Sequence, residues 1–409
     1  MTEIPPAKPH VLFIDDDPMV LQGLRRMLHP LREAWNTEFC EGGPEAIEKV
    51  KAAERPYDVI VSDMRMPVMN GAEVLQEVAR LHPGTVRVIL SGHADRQMVM
   101  QSVGVAHRYL SKPCDALILV ATLQQSIALR TMLRNEELRR AASATMSLPS
   151  RPDLYVRMLS VIQSSDSAID QIEEIVSQDP AMAGKILKLV NSAFFGAPTA
   201  SGSLKEAISY LGLDVLRSLV LSVGLFEQMK ESSLGLPLAE VEALWSHSFE
   251  VASVARAIAA SEEAEATIIE ESFIGGLLHD VGKLFLAAGL PPGERREPLV
   301  CREGETTADA ERRRYGATHG EAGGYLFALW GLPGGVVEAV AFHQEPERGA
   351  AGAYGETCPL TPLTAVHVAD ALVHQKRKDA PHPSLYQPNE TYLAKIGLLD
   401  RMPVWKQLI

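Results

Sequence analysis

Acidic side chains gather behind short apolar runs near the start of the chain. Val11–Ile14 is followed by Asp15, Asp16 and Asp17, Val59–Ser62 by Asp63, Val86–Leu90 by Ser91, and Arg108–Ser111 by Lys112 and Pro113. Carboxylates brought together repel one another and lose hydration unless a cation joins them, and an all-oxygen cluster suits a hard ion such as Mg²⁺. With that charge neutralised, the Asp63 carboxylate could attack phosphorus while Lys112 and Ser91 each hold a phosphoryl oxygen. The product would be an aspartyl phosphate.

Those residues meet only if the runs lie side by side. Together with Thr37–Cys40 the runs are short and β-rich, and each segment between them can hold a helix. Pro18, Pro44 and the Asn70-Gly71 pair mark helix starts. Alternation of this kind predicts an α/β domain, a doubly wound five-stranded parallel sheet whose chemistry gathers beyond the carboxyl ends of the strands.

In order, IDDDP, DVIVSDMRMPVMNG, VILSG and YLSKP resemble the receiver domain of two-component response regulators, over residues 8–128. The resemblance implies a flavodoxin-like fold and phosphorylation of Asp63 by a sensor histidine kinase. It implies Asp15 and Asp16 as the acidic pair that holds Mg²⁺ with Asp63, and a further metal contact from the backbone carbonyl of Arg65. Lys112 would be the receiver lysine, with Ser91 and Tyr109 reporting the phosphorylated state.

Charge and composition narrow the partners. The 409 residues carry 39 Lys+Arg against 52 Asp+Glu, a net charge of −13, whereas phosphate-backbone binding depends on clustered cations. No helix-turn-helix with a basic recognition face is legible, so direct DNA binding is not expected. The longest oily stretch, 211–226, contains Asp214 and Arg217, and MTEIPPAKPH lacks the basic end and apolar core of a secretory signal. A cytoplasmic protein without membrane attachment is expected. Cys40, Cys114, Cys301 and Cys358 have no CxxC spacing, which suggests neither a disulfide framework nor a thiolate zinc site.

From Asp115 to Ala144 the chain has no Gly or Pro, which predicts one long helix: a 115–145 linker continuing the last receiver helix. Ile118, Ala121, Gln125, Ala128, Met132 and Leu138 follow a loose heptad, leaving open a homodimer through that helix. MSLPSRP at 146–152 ends it and opens a second, all-α domain over 146–409. There the apolar residues fall at helical spacing, as at Ile169, Ile172, Ile175 and Val176. Asp179-Pro180 caps one helix, while Ser203 and Glu206 form a capping-box pattern in another. Glu311-Arg312-Arg313-Arg314 could bind phosphate, but a charge run of this length is more often a solvated helix face.

Several ionisable residues of this domain sit on apolar stripes. His247 lies three residues after Leu244 and four before Val251, His343 continues Val336 and Val340, His319 accompanies Ala322 and Leu326, and Asp370 lies between Val366 and Val373. An inward aspartate is costly unless paired or bound to a cation, and His/Asp ligation of one or two divalent transition metals would supply that cation.

LPSRPDLY, SQDPAMAGKILKLVNSAFFG, AISYLG, WSHS, GGLLHDVGK, THGEAGGYLFALWGLP and AFHQ resemble the HDOD output domain, a relative of HD phosphohydrolases, with HVADAL resembling the closing aspartate segment. The resemblance implies His247, His279, Asp280 and Asp370 as the metal ligand set, His319 and His343 for a second metal, and Lys283 beside a substrate phosphate. YLAKIGLLDRMPVW would form a terminal helix packing back. Where related cyclic-diguanylate phosphodiesterases carry paired histidines and a Gly-Tyr-Pro segment, this chain has FHQEPERGAAGAYG, with Gln344 in place of the second histidine. The expected role is therefore a signalling or scaffold output acting on an unidentified downstream protein, with metal-dependent phosphohydrolysis as the alternative.

Overall fold

The computed structural model describes residues 8–409 except 93–104, 134, 146–153, 155–156, 159–160, 162–168, 192–199, 214–215, 217–237, 287–298, 303, 350–359 and 377–386. The break at MSLPSRP and most of the 211–226 stretch lie outside the described residues. The chain divides into two compact units: Met1–Met132 with Arg139–Met146 and Ser192–Gly196, and Leu133–Leu138, Ser147–Asn191 and Ala197–Ile409.

In the first unit, β1 (His10–Asp15), β2 (Asn36–Glu41), β3 (Val59–Asp63), β4 (Val86–Gly92) and β5 (Arg108–Lys112) form a parallel sheet in the order β2-β1-β3-β4-β5. This is the doubly wound order with its switch point between β1 and β3. Every residue of β3 is buried, as expected of a strand covered on both faces. The register sets Asp63 beside Leu90, Ser91 beside Ser111 and Gly92 beside Lys112, which lines up the carboxyl ends of three strands.

Side chains from the loops start the helices. Asp17 accepts a hydrogen bond from Met19 N to cap α1 (Pro18–Leu28), α2 covers Gly43–Ala52, and Asn70 and Glu73 make a reciprocal capping box at α3 (Gly71–Leu81). Leu12, Ile47, Ile60, Val74, Ile89 and Tyr109 share one core against the sheet.

The expected single linker helix is two helices, α4 (Ala116–Met132) and α5 (Glu136–Ala144). Asn135 causes the break: its Oδ1 accepts from the backbone N–H groups of Glu137 and Leu138, which starts a new helix. A heptad seam from Ile118 to Leu138 therefore does not lie on one helix, and Leu138 is fully buried. The end of α5 is held within the first unit. Arg87, fully buried on β4, and the His107 ring before β5 both donate to the Ser143 carbonyl, at 2.9 and 2.8 Å.

The described part of the second unit is helical. Besides single turns at Lys283–Leu286 and Met402–Trp405, it comprises α6 (Ile169–Val176), α7 (Pro180–Val190), α8 (Leu204–Leu211), α9 (Leu238–Ser261), α10 (Ala266–Leu278), α11 (Thr307–Tyr315), α12 (His319–Leu329), α13 (Gly334–Phe342), α14 (Pro362–Lys376) and α15 (Glu390–Lys395). Asp179 caps α7 through Ala181 N and Met182 N. Ser203 caps α8, but the Glu206 carboxylate turns to the Ser201 hydroxyl, so only half of the expected capping box forms.

Val251, Ala255 and Ile258 of α9 pack with Ala339 of α13 and with Val366 and Leu372 of α14 in one core. The C-terminal segment closes it as α15 plus short turns rather than as one helix. Trp405 is buried there, its indole N–H donating to Glu262 at 2.8 Å.

Candidate functional site

At the carboxyl edge of the sheet, β1 delivers Asp15, β3 Asp63 and β5 Lys112. The Lys112 ammonium donates to Asp15 Oδ2 at 2.6 Å and forms an ion pair with Asp63. Backbone donors hold the remaining oxygens: Asp17 N reaches Asp15 Oδ1 at 3.0 Å, and Arg65 N reaches Asp63 Oδ2 at 2.6 Å. Burial raises the pKa of Asp63 and the nearby Asp15 charge adds to this, against the opposing pull of Lys112. Burial would lower Lys112, but its bonds to Asp15 and Asp63 outweigh that and raise it.

Asp16 lies exposed at the same strand end, whereas Asp17 is spent on capping α1. Three carboxylates against one ammonium leave a net negative pocket with oxygen donors only, a set that fits Mg²⁺. Ser91 and Tyr109 are buried on β4 and β5. Gly71 shows why an Asn-Gly turn follows Asp63: a Cβ there would stand 2.0 Å from the Asp63 carbonyl oxygen.

The second constellation is nitrogen-rich and buried. α9 supplies His247, the end of α10 His279 and then Asp280, the first turn of α12 His319, the end of α13 His343, and α14 Asp370. His247 Nε2 lies 3.0 Å from Asp370 Oδ1, and His279 Nε2 lies 3.4 Å from Asp280 Oδ2 and 3.5 Å from Asp370 Oδ1. His319 Nε2 lies 3.1 Å from Asp280 Oδ1 and 3.2 Å from His343 Nε2. Gly282 lets α12 approach this cluster, since a Cβ at that position would meet the His319 carbonyl oxygen at 1.9 Å.

The contacts of the ring nitrogens fix which of them carries a hydrogen. A carbonyl only accepts, so His279 Nδ1, bonded to Gly276 O, and His343 Nδ1, bonded to Val340 O, each carry the hydrogen. His319 Nδ1 likewise donates to the Glu311 carboxylate at 2.7 Å. The Nε2 atoms of all three rings thereby face inward beside two carboxylates, and the buried His279 Nε2 has no hydrogen-bond partner.

A divalent metal satisfies such a set. Ligand separations of 3.0 to 3.5 Å match the edges of a coordination polyhedron with bonds of about 2.1 Å. In two triads, His247–His279–Asp370 and His279–Asp280–His343, the ligand atoms all lie within 4.8 Å of one another.

His279, His319 and the two carboxylates hold one another charged. Burial opposes charge on Asp280 and Asp370, yet the adjacent histidines hold both well below the usual carboxylate range. Burial opposes charge on His319 too, but Glu311 and Asp280 lift it to about 9, while burial and the neighbouring His279 and His319 push His343 well down. Lys283 donates to Asp280 at 2.7 Å and keeps 37% of its side chain exposed.

Sequence reasoning missed two members. His374, one turn after Asp370 on α14, places Nε2 3.4 Å from Asp370 Oδ1, and the i, i+4 spacing could have revealed it. Glu311 was assigned to a solvated face, but it is buried against His319, and its neighbour Arg312 bonds Glu345 at 2.9 Å. Of that run only Arg313 is exposed, while Arg312 and Arg314 are half-buried.

Residues 11–124 match the model of the response regulator receiver domain, and residues 148–346 that of the HDOD domain. An uncharacterized protein of Treponema pallidum is 28% identical over 246 residues, 56% of this chain and 45% of that protein. The uncharacterized transcriptional regulatory protein YesN of Bacillus subtilis is 25% identical over 203 residues, 48% of this chain and 51% of its own length. The chain thus spans about half the length of these relatives.

Among solved structures, the signal receiver domain of an HD domain-containing protein from Pseudomonas fluorescens is 27% identical, covering 30% of this chain and 98% of that one with a TM-score of 0.28. The MmoQ response regulator from Methylococcus capsulatus is 26% identical, covering 64% of this chain and 97% of that one with a TM-score of 0.48.

Proposed function

Starting from a response regulator that joins a receiver domain to an HDOD output domain, we propose that Asp63 accepts a phosphoryl group from a sensor histidine kinase and thereby controls the helical unit as a signalling or scaffold module. The observation that carries this is the Lys112 ammonium held between Asp15 and Asp63 at three adjacent strand ends. An Asp63 oxygen attacks phosphorus, the P–N bond of the phosphohistidine breaks, and the imidazole leaves with a proton. Lys112 then pairs with a phosphoryl oxygen, and Ser91 holds another. Asp15, Asp16, Asp63 and the Arg65 carbonyl would hold Mg²⁺, which supplies positive charge against the attacking carboxylate and the incoming phosphoryl group.

The added charge at the sheet edge draws Ser91 and Tyr109 into new positions and biases the equilibrium of the output domain toward a downstream protein. No helix among the described residues is long and apolar enough to cross a membrane, in keeping with a cytoplasmic role. Incubation with acetyl phosphate and Mg²⁺ tests the assignment: the wild-type chain takes up one phosphoryl group, and Asp63→Ala takes up none while keeping its circular dichroism. Equal incorporation by both removes Asp63 from this role.

The buried His279 Nε2 favours a second reading, a metal-dependent phosphohydrolase. His247, His279, Asp280, Asp370, His319 and His343 would hold one or two divalent ions, which lower the pKa of bound water and polarise a phosphoester. Lys283 would pair with the substrate phosphate. Elemental analysis and a phosphodiester panel separate the readings: metal with turnover that is lost in His279→Ala supports the enzyme, and metal without turnover supports a binding module.

A further inference from the structure

Glu311 stands outside the recognisable ligand pattern, yet it is the group that fixes His319. Both of its carboxylate oxygens are engaged: Oε1 accepts from His319 Nδ1 at 2.7 Å and Oε2 from the His319 backbone N–H at 2.8 Å. The side chain is buried, and α11, which carries it, is tied down by Arg312 to Glu345 at 2.9 Å. A carboxylate behind a histidine sets the tautomer, aims the ring and strengthens the opposite nitrogen as a ligand. Here the opposite nitrogen, Nε2, faces Asp280 and His343, whereas the His247–His279–Asp370 triad has no such carboxylate among its contacts described above.

We infer that Glu311 is a positioning residue for a second metal ion, bound by Asp280, His319 and His343, and that without it the pocket holds only the ion of the His247–His279–Asp370 triad. This rests on the reading of the histidine cluster as a metal site.

The test uses the full chain with Asp15→Asn and Asp16→Asn, which silence the receiver's carboxylates, stripped of metal and titrated with Co²⁺. Visible absorption reports ligand geometry, and elemental analysis after gel filtration reports retained ions. The parent is expected to take up two Co²⁺ ions in separable steps. Glu311→Ala should bind the first ion as the parent does and the second about 10–100-fold more weakly, with loss of the second spectral step.

Glu311→Gln has a single acceptor oxygen for two donors, so it should keep the fold and weaken the second ion by a smaller factor. If Glu311→Ala does not fold, the Gln variant decides alone. A second ion bound as tightly by the folded variants as by the parent, with the same spectrum, overturns the inference. A parent that binds no Co²⁺ removes the metal reading itself, and the inference falls with it.

Discussion

The two sites are built from opposite materials. The receiver pocket is oxygen-only, lies at a sheet edge and already carries a cation, Lys112, between two of its carboxylates. The helical pocket turns imidazole nitrogens inward, and its His279 is fully buried. Hard oxygen donors around an accessible sheet edge suit an ion that exchanges readily, whereas buried imidazoles suit a borderline ion that stays. On the proposed reading chemistry and access divide between the units: one would receive a transient charge, and the other would be organised around a retained one.

The largest expected effect tests that division directly. After passage through a desalting column, the wild-type chain should keep metal at the helical site and none at the receiver. His279→Ala should lose the ion of the His247–His279–Asp370 triad yet take up phosphate from acetyl phosphate at the wild-type level. Asp63→Ala should show the reverse, with metal content intact and phosphate uptake gone. Elemental analysis and phosphate-affinity electrophoresis read the two outcomes, and a His279→Ala chain that no longer takes up phosphate would break the comparison.

A smaller effect should appear at a feature that the two units share. Each site has a glycine pressed against the carbonyl of one of its own residues: Gly71 against Asp63 O and Gly282 against His319 O, where a Cβ would stand at 2.0 and 1.9 Å. Backbone cannot yield as the tip of a side chain can, so Gly71→Ala and Gly282→Ala should each cost about 1–3 kcal/mol, the usual range for overpacking. Gly71→Ala should slow phosphate uptake and spare metal retention, and Gly282→Ala should do the opposite. Denaturant titration followed by the two site assays measures both.

What was legible in the sequence depended on how far apart the cooperating residues lie. The receiver site announced itself because each member ends a strand and a parallel sheet brings strand ends together, so periodicity alone placed Asp15, Asp63 and Lys112 on one edge. His247 was legible as inward-facing from its stripe on α9. Glu311 was not, because a charged run looks solvated until one knows which turn of α11 meets His319. The linker misled for a related reason: Asn135 is a lone poor helix former in a run without Gly or Pro, and only its side-chain bonds to Glu137 and Leu138 reveal a new start. The clasp of Arg87 and His107 on Ser143 joins residues 56 and 36 positions apart, a separation at which no local pattern operates.

The smallest expected effect compares one motif in two settings. Asp17-Pro18 and Asp179-Pro180 are the same cap, an aspartate accepting from the first free N–H groups with proline in the first turn. Asp17 is exposed and accepts from Met19 N at 2.7 Å, whereas Asp179 is fully buried and accepts from both Ala181 N and Met182 N, at 2.8 and 3.2 Å. At the exposed cap, water replaces the lost acceptor, so Asp17→Ala should cost about 0.5–1 kcal/mol. At the buried cap, two donors lose their partner out of reach of solvent, and Asp179→Ala should cost about 2 kcal/mol or slightly more. Asp→Asn at either position keeps the accepting oxygen and should recover most of the loss. Equal costs at the two positions, measured by denaturant unfolding with signals from each unit, would mean that burial does not set the strength of this cap.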